Sequence, residues 1–379
     1  MYRLLKLITP SQLCVVTPNG GQKASGKQLI GETGAHIGGT LLASFQQRLS
    51  RTRFSKAAGI SKWAGSYFTS SLARAVQDFD PQIVVSVAHG YAWHTAFRYA
   101  KRHDLPFFLI VHDAFEYTVD LPRGIKDKAV SVFIQAFQLA AEVFCVSSFM
   151  TEFYGHRTAR QAVTLLPSRD RDNPVYSSPK TIDPNGVIRI GYAGGLHNSG
   201  YRELTEKLAV MCAEMQLQLC IFGPDSPPFA IGKHVSYEGN LPSNLLIQTL
   251  REKVDVLFSP QSFDEADRIG METNFPSKLA DYTATGLPLL IWGPKYASSI
   301  KWARQHEGVA VVVDDNGESR FREALLEIQA AEVRNNVTKR SICVGEEQFS
   351  SERAFQLFRD AIARSNATLV TRNVDPTGS

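Results

Sequence analysis

NFPSKLADYTATGLPLLIWGP, residues 274–294, packs a helix start, a charged pair and a buried strand into one short run. Thr273 or Asn274 can cap a helix here. Pro276 is tolerated in its first turn, whose N–H groups lack intrahelical partners, and Gly286 stops it. Lys278 and Asp281 stand i, i+3 on one face, with Ser277 beside them. PLLIWGP (288–294) then reads as a strand. At a helix start above a ligand, Ser277 and Lys278 can meet a diphosphate, and Asp281 can accept both hydroxyls of a ribose. The bland alternative is a surface Lys–Asp pair, which contributes only about 0.5 kcal/mol.

The same grammar extends outward in both directions. Upstream, IVVSVAHG (83–90), PFFLIVHD (106–113), VFCVSS (143–148) and AVTLLP (162–167) alternate with amphipathic, helix-patterned segments. LCVVTPNGG (13–21) reads as an earlier strand ending in a tight turn at Gly20-Gly21. Downstream, VIRIGYAGG (187–195), LQLCIFGP (217–224), HVSYEGN (234–240), VDVLFSP (254–260), PLLIWGP and VAVVVDD (309–315) repeat the pattern. Short β-rich runs separated by helical ones predict parallel sheets with crossover helices. The polar, proline-bearing segment 167–186 interrupts the alternation. The expected fold is therefore α/β, with two Rossmann-like domains facing a central cleft. They span 1–170 and 187–332, joined by a linker at 171–186. A helical segment follows at 333–365, and a disordered tail is expected at 366–379.

In open α/β sheets, ligands sit beyond the carboxyl ends of the strands. Those ends carry Gly20-Gly21, His89-Gly90, His112-Asp113, Ser147-Ser148, Gly194-Gly195, Gly223-Pro224 and the loop 259–275. GYAGGLHNSG (191–200) ends a strand and opens a helix, so its paired glycines let backbone N–H groups approach a phosphate. It is not GxGxxG, and no GxxxxGK[ST] occurs. A plain strand-to-helix turn would look the same.

The bulk composition narrows the class. The chain has 379 residues, 44% apolar and 21% charged, ordinary for a soluble enzyme of two domains. Its five cysteines (14, 145, 212, 220, 343) form no CxxC pair, which argues for a reducing, cytoplasmic setting without a zinc site. MYRLLKLITPSQL (1–13) breaks its apolar run too early for a secretory signal. Residues 129–146 carry Gln135, Gln138 and Glu142 and divide into a helix and a strand, unlike a membrane span. The net charge of +4 hides an asymmetry, with 14 Lys/Arg against 7 Asp/Glu in residues 1–125. Arg48, Arg51, Arg53, Lys56 and Lys62 fall in residues 48–62 among Leu, Phe and Ile. That stretch is either a solvated helix face or a contact for an anionic membrane surface. No nucleic acid is expected as the main partner.

The opening stretch resembles the nucleotide-binding segment of GT-B fold glycosyltransferases, in particular the retaining family 4 group. Members carry a PSK-like run, an acidic residue followed by an aromatic, and a small-x-G-x-P before a strand. IRIGYAGG, LCIFGP, VSYEGN and VDVLFSP follow in that family's order, while LIVHD and VFCVSS match its other half more loosely. The likeness covers most of residues 80–330. It implies a nucleotide-diphosphate sugar held by the C-terminal half, a saccharide or lipid-linked acceptor held by the N-terminal half, and no metal or other cofactor. Asp281 falls at the family's ribose-binding carboxylate, Gly194, Gly195 and Lys278 at its diphosphate contacts, and His112 at a histidine near donor sugar and acceptor. The expected donor site thus comprises Gly194, Gly195, His197, Gly223, Thr273, Asn274, Pro276, Ser277, Lys278 and Asp281. Gly20, Gly21, His89 and Ser147 are the expected acceptor contacts.

Two departures stand out. The family pairs its ribose acid with a glutamate eight positions earlier, where this chain has Thr273, with Glu272 one step off. The basic residue often found after the first C-domain glycines is missing, leaving His197 or Arg202 in its place. The expected catalytic groups are His112, Asp113, Lys278 and Glu272. In a retaining reaction the departing phosphate accepts the proton. In an inverting one, His89, His112 or Asp113 is the base. A nucleotide-sugar epimerase, a non-catalytic nucleotide-sugar or glycan-binding protein, and a dinucleotide oxidoreductase are the rival readings.

Overall fold

The computed structural model describes residues 2–5, 7–8, 12–16, 55–183, 186–229 and 231–374. The chain forms two compact units, Met1–Leu165 with Phe355–Ser379, and Leu166–Ala354.

The first unit carries a four-stranded sheet, β1 (Val84–Val87), β2 (Phe107–Val111), β3 (Glu142–Cys145) and β4 (Val163–Thr164), in the order β1-β2-β3-β4. Every pair is parallel, with Val87 opposite Ile110 and Val111 opposite Cys145. FFLIV of β2 is buried at every position, as a strand covered on both faces requires. Helices Ala92–Arg102, Arg123–Leu139 and Ser148–Thr158 make the crossovers. Trp93, Phe115, Phe133, Phe137 and Tyr154 interlock beside the sheet, with Phe115 stacked on Phe133 at 4.8 Å. Residues 13–16, expected to begin a first strand, pair with no ladder, although Cys14 and Val16 pack against Leu72, Val76 and Tyr99.

The second unit carries six parallel strands, β5 (Arg189–Ala193), β6 (Gln218–Phe222), β7 (Val235–Gly239), β8 (Val256–Pro260), β9 (Leu289–Trp292) and β10 (Val311–Val313). Their order is β10-β9-β8-β5-β6-β7. The chain therefore winds outward from β5 in one direction and from β8 in the other. The β5–β8 junction is the switch point where such sheets bind ligands. Trp292 stacks on Phe321 at 4.0 Å in the core beneath the sheet.

The segment expected to be a linker is strapped to this second unit. Tyr176 N donates to Ala284 O at 2.9 Å, Lys180 N to Gly286 O at 3.0 Å, and Asn173 Nδ2 to Ser243 O at 3.0 Å. Gly286 has φ +69°, and a Cβ there would lie 2.5 Å from Ser178 O, so only glycine lets the strap pass. Asp255 anchors it from below, accepting from Lys180 Nζ at 2.9 Å and from Arg189 Nε at 3.1 Å. Those bonds hold the Asp255 carboxyl below its ordinary range even though burial opposes them.

The C-terminal region is two helices, Ala331–Phe349 and Ser351–Val374, rather than one segment. The second continues through residues 366–374, where a disordered tail was expected. Phe358 packs against Phe144 at 5.3 Å, within the first unit. Residues 129–146 divide as expected into helix and β3. Among the described residues, no helix is long and apolar enough to cross a membrane.

Candidate functional site

The glycine turn after β5 is framed by two tyrosines absent from the expected site. Tyr282 OH accepts from Ala193 N at 2.8 Å, and Tyr192 OH donates to Gly195 O at 2.8 Å. Both rings are buried, so the backbone bend is held from below on either side. Gly194 has φ +144°, which side chains rarely tolerate, and its N–H donates to Phe222 O at 2.8 Å. Gly223, at the end of β6, presses on the same bend: a Cβ there would lie 2.5 Å from Gly194 O.

Lys278 reaches this bend from 84 positions later in the chain. Its Nζ lies 4.1 Å from the Tyr192 ring centroid and 5.9 Å from that of Tyr201. It would be 3.2 Å from a Cβ on Gly194. Burial pushes the ammonium down to about 7, with no acidic neighbour among the described residues to hold its charge. Gly194, Gly195, Gly223 and Lys278 thus converge on the β5–β8 switch point. An ammonium lodged on aromatic faces and short of a counter-ion can pair with an anion.

The helix bearing Lys278 is shorter than expected. It runs Lys278–Tyr282, preceded by Ser277, and Leu279 N bonds back to Pro276 O at 3.0 Å. Thr273 and Asn274 do not cap it; they end the preceding helix, Arg268–Thr273. The residue before a proline is kept out of the α region, so the chain extends through Asn274 and Phe275 before it can turn. A five-residue helix has little dipole, and the positive charge here resides mainly on Lys278.

Asp281 is 7% exposed. The Arg169 guanidinium lies beneath the helix, donating Nε to Ala280 O at 3.3 Å and Nη2 to Thr283 O at 3.0 Å. Burial lowers this arginine to about 10, with Glu346 and Asp281 acting in the opposite direction. Gly345 makes room for it, since a Cβ there would meet Arg169 Nη2. Nothing in the pattern of residues 167–186 marks Arg169 as part of this support.

Glu272 sits at the C-terminal end of its helix, where its carboxylate accepts from Arg268 Nε at 2.9 Å. Arg268 also bonds Glu265 and lies over the Tyr296 ring at 4.7 Å. Thr273 is 2% exposed, and its hydroxyl donates to Ile269 O at 2.6 Å. His197 is exposed and pairs with Asp225 at 3.4 Å beyond β5 and β6. Asn198 caps helix Ser199–Glu214 by accepting from Tyr201 N at 3.0 Å, and ties the 264–273 loop down through Asp267 at 2.8 Å.

In the first unit, His89 and the His112-Asp113 pair follow the adjacent strands β1 and β2. Burial pushes His112 down to about 4, with His89 adding to the effect, so the imidazole is neutral at pH 7. Asp113 is raised by burial, an effect that His89 opposes. Ser147 caps helix Ser148–Thr158, its hydroxyl accepting from Met150 N at 2.9 Å, and is buried. Gly20 and Gly21 lie outside the described residues. Among the described residues, no three His, Cys, Asp or Glu side chains converge as a metal site.

No family model matches the sequence, and no curated protein matches it. Solved structures match the fold. Anabaena HepE, determined with UDP-glucose, superposes with a TM-score of 0.58 at 10% identity, over 78% of this chain and 82% of its own. The lipopolysaccharide outer core galactosyltransferase WaaB gives 0.53 at 16% identity, over 83% and 82%. A glycosyltransferase from Rickettsia africae gives 0.54 at 12% identity, over 90% of both chains. With two parallel sheets in two Rossmann-like units, this chain has the fold of the GT-B glycosyltransferases.

Proposed function

We propose that the protein is a glycosyltransferase that binds a nucleotide-diphosphate sugar at the β5–β8 switch point and transfers its sugar to a saccharide or lipid-linked acceptor. The observation that carries this reading is Lys278, an ammonium with no acidic partner among the described residues, set against the Gly194 bend. In the reaction the bond between the anomeric carbon and the diphosphate oxygen breaks, and the diphosphate leaves with the electron pair. Lys278 and the backbone N–H groups around Gly195 stabilise that developing charge, in the role a metal fills elsewhere, so the transfer runs without one. Asp281 binds the ribose, and Glu272 and Asn274 orient the sugar. The acceptor oxygen bonds to the anomeric carbon with retention of configuration, and its proton passes to the departing phosphate. The acceptor is bound by the first unit beyond β1 and β2, beside His89, His112 and Asp113. The donor carries a hexose, the product belongs to a cell-surface polysaccharide, and the enzyme works at the cytoplasmic face of the inner membrane.

A thermal-shift series with UDP, GDP, ADP and CMP in EDTA tests the donor half of the reading. One diphosphate should stabilise the protein, by about 2.7 kcal/mol at a hundredfold excess over its dissociation constant. Stabilisation that vanishes in EDTA would overturn metal independence, and no stabilisation by any nucleotide would overturn the donor site. Sugar release from a donor panel, with and without acceptor, then separates a transferase from a binding protein or an epimerase.

A further inference from the structure

Phe68 is 72% exposed, more than any other large hydrophobic side chain among the described residues. It stands on the turn between helices Ser55–Gly65 and Ser70–Ala75, and the turn is built to present it. Trp63, 4% exposed, stacks on His94 at 4.7 Å, and Tyr67 sets its edge against His94 at 4.5 Å. Ser66 Oγ shares a 2.8 Å hydrogen bond with His94 Nδ1. The carbonyls of Ser66 and Tyr67 are taken by Thr95 Oγ1 at 3.0 Å and Arg98 Nε at 3.1 Å. Phe68 N–H closes the turn on Gly65 O at 3.2 Å. The backbone beneath Phe68 is thus satisfied and braced, while its ring meets solvent. Stability does not explain an aromatic ring held outward on a stiff platform, because burying it would be favourable.

Basic residues outnumber acidic ones in the segments around that ring, with Asp120 beside Gly59 and Tyr91 an exception. Arg98 lies over the Tyr67 ring at 5.2 Å, and Lys101 and Arg102 follow on the same helix. Lys62 lies in the last turn of the preceding helix, and its carbonyl accepts from Ser66 N. All four are exposed. Residues 33–77 contain no aspartate or glutamate. From 55 to 102 the only acids are Asp78 and Asp80, against Lys56, Lys62, Arg74, Arg98, Lys101 and Arg102. Of the basic stretch expected to contact a membrane, Arg48, Arg51 and Arg53 lie outside the described residues, whereas Lys56 and Lys62 are exposed.

We propose that the turn at residues 65–68 docks the first unit on an anionic lipid bilayer, with Phe68 entering the lipid and Lys62, Arg98, Lys101 and Arg102 meeting the headgroups. An exposed apolar tip on a predominantly basic segment fits such a surface, where hydrophobic insertion and electrostatic attraction act together. The docking surface deepens the membrane placement of the proposed function and rests on it only for its biological sense, because binding is measured without donor or acceptor.

The test is flotation of the full-length protein with phosphatidylglycerol-containing and pure phosphatidylcholine vesicles. The expected result is binding to the anionic vesicles alone, weakening from low to physiological salt. Phe68→Ser should lower the partition roughly tenfold or more. Lys101→Glu with Arg102→Glu should lower it roughly 25-fold or more. Neither variant should change the melting temperature or the shift produced by a nucleoside diphosphate. Those two readouts separate loss of docking from loss of fold and from failure of the donor site. Binding that ignores lipid charge, or a Phe68→Ser variant that floats like the wild type, would overturn the proposal. So would light scattering that shows Phe68 buried in a dimer broken by the same substitution.

Discussion

Replacing Lys278 by methionine should move stability and ligand binding in opposite directions. The ammonium has an ordinary pKa of about 10.4, and burial brings it to about 7 in the folded chain. Between those values the unfolded chain binds more protons than the folded one, so stability rises with pH across that window. Below about pH 7 the folded protein bears the full cost of the buried charge. The shift corresponds to about 5 kcal/mol as an upper bound, and to something on the order of 2 kcal/mol once partial solvent access is allowed for. Lys278→Met should therefore raise the melting temperature at pH 7 and flatten its rise toward pH 10. The same substitution should abolish tight binding of a nucleoside diphosphate. In the wild type only the protonated lysine is competent. It makes up about half the molecules at pH 7 and roughly one in a hundred at pH 9, so the apparent dissociation constant should rise roughly 50-fold between them. Calorimetry in buffers of different ionisation heat should show about one proton taken up per ligand at pH 9. Equal affinity at both pH values without proton uptake, or a methionine variant less stable than the wild type, would refute the placement of an uncompensated cation at this site.

Asp281→Asn should weaken donor binding tenfold or more while leaving kcat at saturating donor within about threefold, because ribose contacts change little during reaction; steady-state kinetics showing the opposite split would remove the residue from the ribose. Gly223→Ala places a Cβ 2.5 Å from Gly194 O and should cost about 1–3 kcal/mol, with donor affinity falling further; an unchanged melting curve would show that the two turns are not locked together. Glu272→Gln should lower turnover about tenfold at unchanged stability, whereas Thr273→Val, which removes a buried hydroxyl bonded to Ile269 O, should cost about 1 kcal/mol of stability and leave turnover intact. The reverse order of damage would give the sugar contact to Thr273.

The alternation of apolar runs and helical segments, the glycines at strand ends and the Lys278–Asp281 spacing are local patterns, and the sequence alone determined them. Periodicity records which face of an element is buried, so two α/β units were legible without coordinates. What each element packs against was not. β5 lies beside β8, far along the chain, and only that long-range pairing places the Gly194 bend within reach of Lys278. The lysine's low proton affinity comes from desolvation against Tyr192, a residue that its own helix does not announce. Arg169 reads as part of a polar linker until the fold slides its guanidinium under the same helix. Ser147 and Glu272 show how the fold adds partners that spacing does not announce: Ser147 caps a helix, and Glu272 accepts from Arg268. Residue type and spacing set which chemistry is available. Which groups keep their charge, and which are occupied by the protein itself, depends on neighbours that only the tertiary structure brings together.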